Sequence, residues 1–411
     1  MRRVVITGVG AVSPVGNTAE ETWNSLINGK NGIGPITHFD TSDPACKVKL
    51  AAEVKDFDPS LYMEKGEIRK TDLYAQYAMA AAVQAMKDSG IEGKVEPERL
   101  GVYVGSGIGG MNTFVEECNK LETSGMKRIS PFFIPMMISN IASGNIAIRF
   151  KAEGPSMCVT TACATSAHAV GEAFHTIRYG YADAMIAGGA EATINKLSIA
   201  GFTNCKALTT EEDPNRASIP FDKERSGFVM GEGGAILVLE EYEHAVARGA
   251  KIYGEIVGYG NTNDAYHMTA PHPDAKGAAQ SIRLAVKEAE MPADTCLYIN
   301  AHGTSTSLND KTETLAFKLA LGEEAAHKAM VSSTKSMTGH MLGATGALEA
   351  MACAYALRDG IVPPTINYRE ADPDCDLDYV PNEARKADIE YAISTNLGFG
   401  GHNACLVLKK I

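Results

Sequence analysis

Residues 156–180 read SMCVTTACATSAHAVGEAFHTIRYG. A short β-branched run ends in Thr160-Thr161-Ala162-Cys163. An alanine-rich segment follows, with small or apolar residues at Ala164, Ala167, Gly171, Phe174 and Ile177, and it closes at Gly180. This pattern predicts a strand, a tight turn and a buried helix with a glycine stop. Cys163 falls at the turn, on the helix's first residue or beside it. Unpaired backbone N–H groups and the positive end of the helix dipole lie there. Both favour thiolate over thiol, which suits a nucleophile. Cysteine is also among the most buried residue types and often only fills space. The stretch alone leaves both roles open.

The chain has 411 residues, more than one compact core usually holds, so two domains or halves are expected. Hydrophobic content of 45% and charged content of 21% suit an ordinary soluble protein. A formal net charge of -12 argues against a protein held to nucleic acid by phosphate contacts. Nine cysteines are spread thinly, their number is odd, and no CxxC pair occurs. A disulfide framework or structural zinc site is therefore not expected, and a reducing compartment is. The chain enters a strand at once (Arg3-Val4-Val5-Ile6-Thr7) and has no apolar run of membrane-spanning length. A cytoplasmic protein is expected.

Strand patterns at residues 3–7, 100–104, 184–187, 234–240, 253–259, 297–301, 330–333, 391–395 and 404–409 alternate with helical patterns. The main helices are expected at 70–89, 112–123, 138–150, 275–290, 310–321 and 344–358, and residues 200–233 as loop. Alternation of this kind predicts an α/β protein with mainly parallel sheets covered by helices. One internal echo stands out. MGEGGAILVLE (residues 230–240) can be laid over FGGHNACLVLK (399–409), which puts a glycine turn before a strand near the end of each half. Duplicated halves meeting near residue 250 are expected, 1–250 and 251–411.

Gly105, Gly107 and Gly110 match GxGxxG after a strand, but the segment beyond is polar and lacks the apolar first turn of a dinucleotide site. Of ten histidines, two have a distinctive setting. NAHGTST around His302 and KSMTGH around His340 each place a histidine on a small-residue turn just beyond a strand. Ligands of α/β sheets bind there. Two histidines aimed at one carbonyl could stabilise a developing enolate. Near the C-terminus, Asn396-Leu397-Gly398-Phe399-Gly400-Gly401 sets an aromatic plug among three glycines. It is a candidate gate and a source of an oxyanion-binding N–H.

TTACATSAH around Cys163, NAHGTST around His302, STKSMTGHMLGATGALEA around His340 and NLGFGGHNACLV at the C-terminus together resemble the β-ketoacyl-acyl-carrier-protein synthases. The elongating type II enzymes of fatty acid synthesis are the nearest match. The resemblance implies a thiolase-like fold: a duplicated αβαβα layered architecture with two similar five-stranded halves, in a homodimer. It implies a decarboxylative Claisen condensation between an acyl chain on Cys163 and malonyl-acyl-carrier protein. His302 and His340 would stabilise the enolate. The N–H groups of Cys163 and Phe399 would form the oxyanion hole. Lys335, with Glu349, would order the site electrostatically. No metal or redox cofactor is implied, since loss of CO2 supplies the carbanion and phosphopantetheine arrives on the carrier protein.

Less directly, the resemblance implies that Thr304 and Thr306 hydrogen-bond the phosphopantetheine arm. Ile108 and Phe202 would line the acyl pocket. Lys65, Arg69, Lys70, Lys127, Arg128 and Lys206 would form a basic patch for the acidic carrier protein. The second histidine, His340, departs from the Cys/His/Asn set of initiating synthases. Ser394-Thr395-Asn396 departs from a more usual Ser-Asn-Ser, which puts a structural cation near Asn300, Glu349 and Ser394 in doubt. A polyketide ketosynthase would use the same residues. A non-catalytic chain-length-factor subunit would lack the cysteine.

Overall fold

A computed structural model describes residues 1–411. Ten strands build its central sheet. They are β1 (Val4–Val12), β2 (Leu100–Gly105), β3 (Ser156–Met157), β4 (Ala184–Glu191) and β5 (Gly233–Glu241). The second five are β6 (Gly254–Asn263), β7 (Leu297–Asn300), β8 (Met330–Ser332), β9 (Tyr391–Gly398) and β10 (His402–Lys409). The sheet order is β8-β7-β9-β10-β6-β1-β5-β4-β2-β3. Outward from the middle, each half runs first strand, fifth, fourth, second, third. This repeated order is the duplication anticipated by the echo between residues 230–240 and 399–409. The halves join where Val4, Val5 and Ile6 of β1 pair with Ile256, Glu255 and Gly254 of β6.

The expectation of mainly parallel sheets needs correction. Only β2 with β3 and β4, and β7 with β8 and β9, are parallel. The other pairings are antiparallel. For β9 and β10 the reason is the connection: residues 399–401 are too few for the crossover a parallel pair requires. Both faces of the sheet are covered, so strands read as continuous apolar runs.

Helices α1 (Leu73–Ser89) and α2 (Thr165–Arg178) belong to the first half; α3 (Lys276–Glu288), α4 (Ser307–Leu321) and α5 (Thr345–Asp359) belong to the second. The strand alternation shows how they layer. Ala235, Leu237 and Leu239 of β5 and Ala404, Leu406 and Leu408 of β10 point to one central core, shared with α2 and α5. Ile236 and Val238 point away to a second core with α1. Cys405 and Val407 point away to a third with α3. Two buried helices thus lie between the half-sheets and others cover the outside. The small residues of α2 and α5 permit this closeness. A Cβ on Gly346 would lie 2.6 Å from the backbone nitrogen of Ala167.

Two local expectations also change. The run before Cys163 is not a strand beyond Met157, because β3 pairs only with Val102 and Tyr103 and then leaves the sheet for the turn. Residues 196–204, at the edge of the expected loop, form a helix capped by Asn195.

Candidate active site

The turn in front of α2 places Cys163. Residues Ala162–Ala164 form one 3-10 turn, and Ala162 sits at φ 50°, in the left-handed region that a residue with a Cβ seldom adopts. The sulfur is thereby set at the floor of a cavity of about 240 Å³. His302, Thr304 and Thr306 reach this cavity from the loop beyond β7. His340 follows a short helix, Lys335–Thr338, and Phe399 follows β9. Phe202 and Lys206 enter from the helix over 196–204 and its exit. Residues from both halves therefore meet at the carboxyl ends of the strands.

The two histidine rings lie with centroids 5.3 Å apart and nearly perpendicular. Both are buried, and burial together with the positive charge of Lys335 pushes their pKa values well below the ordinary histidine value. Both rings are neutral at pH 7. Nδ1 of His302 and Nε2 of His340 have no hydrogen-bond partner, while Nδ1 of His340 lies 3.2 Å from the hydroxyl of Thr345. The backbone of the His302 turn is anchored by Glu313. Its carboxylate accepts from the N–H of His302 at 2.6 Å, the N–H of Gly303 at 2.8 Å and the Thr395 hydroxyl at 2.7 Å.

Lys335 is buried but does not line the cavity. Its Nζ donates to Glu349 Oε1 at 2.5 Å, and Asn396 Nδ2 donates to Oε2 at 2.6 Å. Burial pushes the Glu349 carboxyl upward, against the pull of Lys335. Nearby, Asn300 and Ser394 face each other in parallel register with side-chain polar atoms unpartnered, as does Asn396 through Oδ1.

The Cys163 thiol differs from its sequence expectation. Burial pushes it up to about 12, although Lys335 and the N–H groups of Phe399 and Cys163 pull it down. Desolvation outweighs the helix start, so the resting group is a neutral thiol. The same two N–H groups converge on the sulfur.

Phe399 packs against Phe202 at 6.2 Å between ring centroids, Phe202 against Phe228 at 5.7 Å, and Phe228 against His340 at 5.1 Å. The glycines after it turn with φ of 89° and 77° and are tied to residues 263–268. Gly400 N donates to Met268 O at 2.7 Å and Asp264 N to Gly401 O at 2.8 Å. The hydroxyls of Thr304 and Thr306 lie 2.9 Å apart. Their loop is clamped by buried Arg225, which donates to the carbonyls of Thr306 and Ser307, each at 3.2 Å.

Not every expected residue meets the cavity. Ile108 is half-buried and absent from the lining. It packs instead into the apolar cluster that also holds Cys163, Phe202, Ile199 and Leu342. Of the six basic residues, all exposed, only Lys206 reaches the rim. Lys70 lies over the ring of Phe132 at 5.1 Å, four residues beyond Arg128.

Profiles of known families match nearly the whole chain. The β-ketoacyl synthase N-terminal domain matches residues 1–245 and the β-ketoacyl synthase C-terminal domain matches residues 253–369. The chain belongs to the β-ketoacyl synthase family. It is 51% identical over 411 residues to a 3-oxoacyl-[acyl-carrier-protein] synthase 2 of Synechocystis sp., covering 100% of this chain and 98% of that one. It is 50% identical over 410 residues to the protein of that name in Staphylococcus aureus, with 100% and 98% coverage. Among solved β-ketoacyl synthase structures it resembles the ishigamide ketosynthase/chain length factor, with TM-score 0.93, 38% identity and coverage of 100% and 99%. It also resembles a type II polyketide ketosynthase solved in complex with its acyl-carrier protein, with TM-score 0.90, 36% identity and coverage of 100% and 99%.

Sequence reasoning missed Glu313, Arg225 and Glu191. Glu191 is fully buried and accepts four hydrogen bonds under the Cys163 turn. Its only sequence signal was an acidic residue ending an apolar strand. The GxGxxG turn does receive an anion, namely this internal carboxylate.

Proposed function

We propose that this protein is the condensing enzyme of fatty acid elongation, joining an acyl chain to malonyl-acyl-carrier protein to give 3-oxoacyl-acyl-carrier protein and CO2. The observation that carries the reading is one cavity with a thiol at its floor, two neutral histidines above it and two backbone donors beside it. Full-length identity near 50% to 3-oxoacyl-[acyl-carrier-protein] synthases 2 supports the fatty acid substrate over a polyketide.

In the first half-reaction the Cys163 sulfur attacks the thioester carbon of the incoming acyl-carrier protein. The oxyanion is held by the N–H groups of Cys163 and Phe399. The phosphopantetheine sulfur leaves and takes up the proton Cys163 gave up, leaving an acyl-Cys163 thioester. Malonyl-carrier protein then occupies the cavity with its arm along Thr304 and Thr306. The carboxylate departs as CO2, and the electron pair becomes an enolate whose oxygen receives hydrogen bonds from His302 and His340. Neutral rings suit this step, since a charged ring would hold the substrate carboxylate and oppose its loss. The carbanion attacks the acyl-Cys163 carbonyl. The C–S bond breaks, and the Cys163 thiolate takes up a proton from solvent, which replaces the one that left with the first carrier protein. Lys335 acts through its field, lowering the histidines and drawing down the thiol. No cofactor is needed, because decarboxylation supplies the electron pair.

The carrier protein's acidic surface would meet Lys206 at the rim, with Lys65, Arg69, Lys70, Lys127 and Arg128 further out. A second copy of the chain would pair at the exposed edge strand β3, next to the exposed Met157, Ile148 and Ile134. Nine free cysteines and no helix long and apolar enough to cross a membrane support a cytoplasmic location. The test is intact-protein mass spectrometry after incubation with acyl-carrier proteins. The acyl mass should appear on the protein and vanish with Cys163→Ser. Acylation that survives Cys163→Ser overturns the assignment.

A further inference from the structure

Glu191 ends β4 beneath the cavity, and three backbone N–H groups and one hydroxyl converge on its carboxylate. Oε1 receives the Ser106 hydroxyl at 2.8 Å and the Ile108 N–H at 3.2 Å. Oε2 receives the Gly107 N–H at 2.9 Å and the Gly343 N–H at 3.1 Å. The Ser106 hydroxyl can donate to the carboxylate while its own oxygen accepts from Gly109 N at 2.9 Å. Burial pushes this carboxyl up to about 7, against the pull of the four hydrogen bonds. Both glycines are required by the approach. A Cβ on Gly107 or on Gly343 would lie 2.7 Å from Oε2.

Three segments converge there. The first is the turn 106–109, which carries Ile108. The second is the approach to the nucleophile, where the Thr160 hydroxyl donates to Ser106 O at 3.1 Å. The third is the turn at Gly343, in the other half of the chain. Ile108 and Leu342, neighbours of these contacts, both pack in the apolar cluster around Cys163. The cluster adjoins Cys163, so an acyl chain that extends from the sulfur into it would displace the Ile108 and Leu342 side chains. Whether it enters depends on how firmly the Ile108 turn is held.

We infer that Glu191 is a positioning residue that pins the Ile108 turn to the Gly343 turn and thereby sets which acyl chain lengths are accepted on Cys163. The inference rests on the condensing-enzyme reading. Glu191→Gln keeps the size but sets an amide NH2 against backbone donors at one of the two oxygens, so the clamp between the two turns loses at least one backbone N–H contact. Acylation of Cys163 is measured with a series of acyl-carrier proteins of increasing chain length. The ratio of long-chain to short-chain rates should change by about tenfold, with the short-chain rate within about twofold of wild type. Ser106→Ala removes one of the four contacts to Glu191 and the acceptor of the Gly109 N–H, both within the Ile108 turn, and should move the ratio in the same direction. It also decides the matter if Glu191→Gln does not fold. A uniform loss across all chain lengths, or an unchanged ratio in the folded variants, overturns the inference. Failure of the wild-type protein to acylate would instead overturn the condensing-enzyme reading.

Discussion

Two turns in this molecule share one backbone and differ in what they do with it. Ala162–Cys163–Ala164 leads into α2, and Leu342–Gly343–Ala344 leads into α5. Both are 3-10 turns, and both begin with a non-glycine residue in the left-handed region, at φ 50° and 47°. The helices they feed pack together, with Ala347 N donating to the Ser166 hydroxyl at 2.9 Å. At the middle position the copies part. Cys163 points a thiol into the cavity, and its N–H stays beside the sulfur. Gly343 has no side chain, and its N–H goes to Glu191 at 3.1 Å. Strain of this kind persists only where the surroundings over-determine it. Here the same strained device presents a thiol to the cavity in one half and braces the site from the other. Strain at a turn is therefore not itself a mark of catalysis. The destination of the N–H and the presence of a side chain decide.

Making the two turns alike at the middle position is the most damaging test. Cys163→Gly should lower condensation by at least about 10³-fold, because a nucleophile cannot be replaced by geometry alone. The variant should still give a cooperative melt, measured alongside turnover with acyl- and malonyl-carrier protein. Turnover near wild type would erase the distinction between the turns.

Adding a side chain to the bracing turn should act on stability first. In Gly343→Ala the new Cβ would meet Gly107 N at 2.5 Å and Glu191 Oε2 at 2.7 Å. Overpacking of this kind should destabilise by about 2–3 kcal/mol, read as a lower denaturant midpoint. A midpoint equal to wild type would mean that the two turns are equally tolerant.

The histidines sharpen the contrast through pH. Their folded pKa values lie well below the ordinary value, so the neutral rings favour the folded state above the unfolded histidine pKa. Below about pH 6.5 the unfolded chain takes up protons that the buried rings refuse, and each ring removes up to about 1.4 kcal/mol per pH unit. Stability should fall below that pH in the wild type and fall less steeply in His340→Ala. Malonyl decarboxylation should keep its rate down to pH values below 6.5 while the protein stays folded. A loss of decarboxylation centred at the ordinary histidine pKa would contradict neutral, buried rings.

The smallest effect is expected from relaxing the strain. Ala162→Gly relieves the left-handed backbone but adds freedom to the unfolded chain, and these terms differ by less than about 1 kcal/mol. Acylation of Cys163 should be unchanged within about threefold, if placement comes from the surrounding contacts and not from stored strain.

Much of the site could be read from local pattern. Cys163, His302, His340 and Phe399 each sit on a small-residue turn beside a strand or helix of clear periodicity, so their type and place were both visible. Lys335 was visible as a residue, but only the fold buries it against Glu349, fourteen positions on. Ile108 was assigned to the pocket wall, and the structure sets it one layer back, in the apolar cluster. The strand directions were misjudged, because a strand's alternation encodes its faces and not its neighbour's direction.

The sequence by itself determined the alternation of strands and helices, the duplicated halves and the residue types that meet at the cavity, Cys163, His302 and His340. Tertiary structure decided the protonation states and the bracing. The thiol is neutral at rest because burial outweighs the helix start, and burial is not a property of residues 156–180 alone. Glu191 joins Ser106, 85 positions away, to Gly343, 152 positions away, and no local period reports such a contact. Periodicity records which face of an element is apolar. The meeting of a buried carboxylate with four donors depends on which strand ends the topology brings together.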